Sequence, residues 1–193
     1  VNVRFVRIAS APAFSARPRD SQRSRLYAAE RAAFGHAIDL FSITEVERYV
    51  ERVWSMKRVQ GAFPNLGFLP RVDDGRGRRS ACASDRAISV PRALRMRWVI
   101  VHELAHIIAG REFGRRNIAW HGWQFAQTYL RLARLVLGVE AETALKAQFK
   151  ARRVKHKAPR SKAPLTPEAR AALIERMAQA RAARAAKAAA VTA

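Results

Sequence analysis

The chain has 193 residues, 49% of them apolar, which is enough for one ordinary globular domain with an extension. Lysine and arginine number 37 against 15 acids, a formal net charge of +22, a balance that favours polyanionic partners over cationic ones. No run of roughly 18 apolar residues occurs, which excludes a helical membrane span. Cys82 is the single cysteine, which excludes an internal disulfide and a cysteine-rich zinc knuckle and fits a reducing, cytoplasmic setting.

Residues 1–18 read as a disordered N-terminal extension. Arg4, Arg7 and Arg17 interrupt every apolar stretch there, so no secretory signal is expected. Asp20 to Phe34 reads as a first helix, with Leu26, Ala29, Ala33 and Phe34 on one side. Thr44-x-x-Glu47 has the form of a capping box, and Val46, Tyr49, Val50, Val53 and Trp54 follow it at helical spacing. Gly61, Pro64 and Gly67 break that pattern. Three short strands are expected next: Phe68 to Val72, Ser80 to Ala83 and Ala87 to Val90. A turn over Asp73 to Arg78 would separate the first two. Short strands joined by tight turns pair antiparallel, so the fold class is α+β, a small antiparallel sheet packed on helices.

Pro91 suits the first turn of a helix from Arg92 to about Gly110. From Trp98 to Ala109 its apolar residues run almost all the way round, the mark of a buried central helix. Into that surface the sequence sets His102, Glu103 and His106. Two histidines four apart lie about 40° out of register on a helix, so both rings can reach one point. Zinc accepts imidazole nitrogens at about 2.0–2.1 Å. Glu103, rotated about 100° from His102, is placed to take a proton from a water at the metal, as a general base. The competing explanation is two satisfied core histidines with Glu103 paired to an arginine.

A catalytic zinc site needs a third protein ligand. Glu112 follows the motif but lacks the preceding glycine of long metzincin-type sites, since Ala109 stands there. Glu140 and Glu142 fall in a later helix. His121 is the preferred candidate: a loop from Gly110 to Asn117 precedes it, and a helix from Trp123 to Leu137 follows, so the chain can fold back on the first pair. Tyr129, His36 or an arginine near the site could serve an oxyanion. The strand Ala87 to Val90 is expected beside the metal, where an extended substrate could add to it.

Residues 153–193 are dominated by Ala, Arg, Lys and Pro and hold no aromatic residue, too little apolar surface for a core. Thr166-Pro167-Glu168 nevertheless has the form of a helix start, so this basic tail reads as disordered or nascent helix. The domain itself is expected over 19–152. Basic core and tail together suit non-specific nucleic-acid binding, with a peptide or protein as substrate.

The run from Arg19-Asp20-Ser21-Gln22 to Ala29-Glu30, then His102-Glu103-Leu104-Ala105-His106, then His121-Gly122-x-x-Phe125 with Tyr129-Leu130, resembles an actinobacterial family of metallohydrolases with a His-Glu-x-x-His motif. The likeness covers about 19–150, including Ile88-x-Val90-Pro91. It implies a zincin-like domain with hydrolase activity. The His-Gly-x-x-Phe element is also similar to SprT-like proteases, where the resemblance makes His121 the third zinc ligand. Trp123 departs from that pattern, in which a proline or small polar residue is commoner.

Overall fold

The structure is a computed structural model that describes residues 18–40, 42–159 and 166–192. The extension expected over 1–18 falls almost wholly outside them. The chain divides into two units, residues 1–158 and 159–193. In the first, α1 (Arg23–Phe34), α2 (Ile43–Ser55) and α3 (Lys57–Ala62) precede β1 (Arg71–Asp74), β2 (Cys82–Ala83) and β3 (Ala87–Val90). A 3-10 turn at Arg92–Leu94 leads into α4 (Arg97–Phe113), followed by α5 (Trp123–Val136) and α6 (Val139–Ala151). The second unit holds α7 (Pro167–Thr192). The α+β class is therefore present.

The sheet is mixed, not antiparallel. Its order is β1-β3-β2. β2 and β3 form the expected antiparallel hairpin, with Cys82 opposite Ser89 and Ala83 opposite Ile88. The Ser84 hydroxyl accepts the Ala87 amide at 3.0 Å and helps close its turn. β1 instead pairs parallel to β3, from Arg71 opposite Ala87 to Asp74 opposite Val90. Asp73 and Asp74, expected in a turn, belong to this strand, and Arg95 holds Asp74 at 3.1 Å. The connection after them carries the chain past β3 to its far side. Gly75 makes that path possible: a Cβ there would stand 2.6 Å from the Pro91 nitrogen, closer than real atoms come.

Local signals account for most helix boundaries, with shifts that have physical causes. The capping box of α2 is Ser42-x-x-Glu45, two residues ahead of the expected one. The Ser42 hydroxyl accepts the Glu45 amide at 3.1 Å, and the Glu45 carboxylate accepts the Ser42 amide at 2.7 Å. All five apolar residues expected on this helix are buried. α4 starts at Arg97, not Arg92, because the Asp39 carboxylate accepts the Arg97 amide at 2.8 Å. That contact satisfies one of the donors left open at a helix start. α4 also runs through Gly110 and ends at Gly114, whose φ of +79° suits glycine. α3, with Gly61 inside it, was not expected from the sequence.

α4 is the central helix. Ile100, Val101, Leu104, Ala105 and Ala109 have no exposed surface, and the helix packs chiefly on α5. α6 packs on α1 and α5 through Leu145 and Phe149. Val154 is buried in the same core, and the Lys155 amide donates to the Gln22 side chain at 2.8 Å. The first unit therefore continues past the boundary expected at 152. In the second unit α7 begins at the expected Pro167 as a regular helix, with Leu173, Ile174 and Met177 exposed.

Candidate metal centre

His102 and His106 project from one face of α4, as their spacing requires, and their Nε2 atoms lie 3.1 Å apart. His121 comes from the turn ahead of α5, where the Gly122 amide donates to the Ala119 carbonyl at 3.0 Å. One ligand atom from each of the three histidines falls within 4.8 Å of the others. The three side chains are thus close enough to hold a metal ion. Phe125, one helical turn after His121 and fully buried, stacks on the His106 ring at 4.1 Å between centroids and touches the other two. The spacing in His121-Gly-x-x-Phe125 is what sets this apolar wall behind the rings.

α1 supplies partners for the outer nitrogens. Glu30, 2% exposed, bonds to Nδ1 of His102. Asp20, just ahead of α1, accepts from Nδ1 of His121 at 2.7 Å. Gln22 donates to the His121 carbonyl at 2.7 Å and also to the Lys155 carbonyl at 2.9 Å. Two carboxylates fix the tautomer and orientation of two rings and leave their Nε2 atoms for the shared point, the arrangement found behind metal-bound histidines. Tyr129 has no exposed surface; its hydroxyl donates to the Trp98 carbonyl at 3.5 Å, and burial, with the Glu30 charge nearby, keeps it protonated. Full burial leaves it no access to a substrate, which removes it as an oxyanion donor.

Burial and neighbouring charge set the protonation of the rings. Desolvation, with His102, His121 and Arg115 nearby, holds His106 well below the usual histidine range. Desolvation and His102 also lower His121, against the opposing pull of Asp20 and Glu30. Both are therefore neutral and carry lone pairs. Desolvation would lower His102 too, but the Glu30 charge and hydrogen bond, with Glu103, raise it. Nε2 of His121 is buried with no hydrogen-bond partner among the described residues. Three imidazoles, one with an unsatisfied buried nitrogen, suit a borderline-soft divalent ion.

Glu103 is 6% exposed, makes no ion pair with an arginine among the described residues, and lines two cavities that meet at the site. Desolvation pushes its carboxyl up to about 7; His102 opposes the shift and Glu30 adds to it. The smaller cavity, about 170 Å³, is also lined by His106, His121 and Ala81 to Ala83. The larger, about 400 Å³, opens on the α1 side. Tyr27 borders both, its ring 5.0 Å from His121 and 5.7 Å from His102 between centroids. Burial raises its hydroxyl above the ordinary range, with Arg23 opposing, so it stays a donor.

Several expected candidates lie elsewhere. Glu112 is exposed on α4 and borders a separate small cavity beside Phe63. Glu142 pairs with Arg134 at 2.8 Å, and Glu140 is exposed on α6. His36 is exposed at the mouth of the larger cavity. β3, expected to receive an extended substrate, is the middle strand with both edges taken. The edge strand beside the histidines is β2. The sequence did not point to Glu30, Asp20 or Tyr27 as parts of the site. Comparisons with protein-family models, curated proteins and solved structures found no match.

Proposed function

We infer that this protein is a zinc-dependent hydrolase of the zincin-like kind, acting on peptide bonds. The observation that carries the inference is the convergence of three histidines, two of them with their outer nitrogens held by carboxylates, beside a buried glutamate with no ion-pair partner among the described residues. His102, His106 and His121 would hold the ion. When bound, zinc supplies a Lewis acid that polarises a carbonyl and makes a neighbouring water acidic. Glu103 takes the proton of that water and passes it to the departing amine. A carboxyl brought to about 7 by burial is suited to both steps near neutral pH. Tyr27 donates toward the carbonyl oxygen, and the β2 edge aligns an extended chain by strand addition.

Zinc-dependent cleavage of an unfolded protein by the wild type, set against Glu103→Gln, tests the reading. A structural zinc site that serves only as an interaction module has no need of Glu103 and is unaffected by the change. The carboxylates give an independent check. Glu30→Gln and Asp20→Asn keep the shape but weaken the hold on the rings, so each lowers zinc affinity by about 10- to 100-fold in a competitive chelator titration. Unchanged affinity in both would remove the carboxylates from the site.

A second reading places the same chemistry on protein bound to nucleic acid, as in SprT-like proteases. It is favoured by the +22 charge and by exposed Arg170, Arg176, Arg181 and Arg184 on α7. Its signature is nucleic-acid affinity that falls steeply with salt.

A further inference from the structure

We propose that the larger cavity is a subsite for a peptide carboxylate, so that the enzyme prefers acidic peptides; this rests on the peptidase reading of the adjoining centre. The cavity, about 400 Å³, is within the range of small-ligand sites and holds an extended side chain easily. Its rim is cationic. Arg23 and Arg31 stand on α1 about one turn before and one turn after Tyr27, on the same face, and Arg79 approaches from the connection between β1 and β2.

Several arginines of the first unit have their charge taken up by acids. Arg71, Arg95, Arg97, Arg115 and Arg134 each pair with an aspartate or glutamate. Arg23, Arg31 and Arg79 have no acidic partner among the described residues; Arg23 instead lies over the Tyr27 ring. Unpaired guanidiniums around a concave, partly apolar site focus their field into it, and each can take a carboxylate with two hydrogen bonds.

Below the rim, Leu94, Met96 and Val99 form an apolar wall, and the deep end is closed by Glu30, His102 and Glu103. That order of surfaces fits an aliphatic stem with one carboxylate at its tip, as in a glutamate side chain or a chain terminus. A run of phosphates would bring negative charge against Glu103. Cation at the mouth and carboxylates within therefore favour a peptide over a nucleic acid.

Calorimetric binding of short acetylated, C-terminally amidated peptides to the full chain tests the proposal, with glutamate and glutamine compared at each position in turn. One position should show about a 10- to 100-fold preference for glutamate, the range for a charge-assisted hydrogen bond. If the preference comes only from a free C-terminal carboxylate on the glutamine peptide, the subsite stands and its carboxylate is the chain terminus. Arg31→Gln with Arg79→Gln should abolish the preference, and Arg79→Glu alone should turn it toward lysine. Arg31 and Arg79 are both exposed and neither has an acidic partner among the described residues, so folding is unaffected. Arg48→Gln, on α2 and away from the cavity, should leave the preference intact.

Equal binding of all the peptides, or a preference that survives the double substitution, overturns the proposal. Displacement of the acidic peptide by an oligonucleotide at lower concentration than by a second acidic peptide also overturns it. Zinc content and cleavage are read on the same samples. A preference with no zinc uptake sinks the metallopeptidase reading alone; zinc uptake and cleavage with no preference sinks the subsite alone.

Discussion

Glu103→Gln is expected to lower the rate of peptide cleavage by about 10²- to 10⁴-fold, the usual contribution of a positioned general base, while zinc content and folded structure stay as in the wild type. Glutamine has nearly the same shape, and Glu103 makes no ion pair among the described residues that the change would break. The loss is therefore confined to proton transfer. The substitution also removes a buried ionisable group whose charge is disfavoured by desolvation, so stability should be equal or slightly higher by urea unfolding. A variant that retains full turnover would assign the proton transfer elsewhere. One that loses zinc would make Glu103 part of the metal's hold.

The second large effect is on stability. Metal-free protein keeps three imidazoles in one buried cluster, one with an unsatisfied Nε2, and an ion that binds only the folded state stabilises it by mass action. At a free zinc concentration about 1,000 times the dissociation constant the gain is about 4 kcal/mol, which for a domain of this size raises the melting temperature by about 10 °C. Calorimetry of protein treated with a chelator and then reloaded measures it. His121→Ala should show no such rise, because two histidines on α4 leave the ion too few protein ligands. An equal rise in that variant would place the binding elsewhere on the chain.

The reach of sequence reasoning differs sharply between parts of this site. His102, Glu103 and His106 are legible because a helix repeats locally, and four residues always bring two side chains onto one face. His121 is legible because a loop followed by a helix start gives the chain room to return. Glu30 and Asp20 lie 72 and 101 residues from the histidines they hold, and no local pattern records such a meeting. On α1 the apolar residues Leu26, Ala29 and Ala33 define a face on which an acid looks misplaced. Glu30 nevertheless lies on that face, buried, because His102 is its partner.

The sheet gives the same lesson in another form. The β2–β3 hairpin follows from its turn. The parallel pairing of β1 depends on where the chain goes after Gly75, which the close approach to Pro91 decides. Strand partners that are not chain neighbours carry no local signature, so the edge beside the histidines passed from β3 to β2. At Gly110 the burial of α4 from Val99 to Ala109 outweighs the roughly 1 kcal/mol helix penalty of glycine, and the helix runs on.

Elemental analysis of the purified full chain, after incubation with zinc and removal of the free ion, bears most directly on the three-histidine centre. One zinc per chain is expected in the wild type, and none above background in His121→Ala. A wild type without bound zinc, or a His121→Ala variant that retains one ion per chain, would contradict the centre built from His102, His106 and His121.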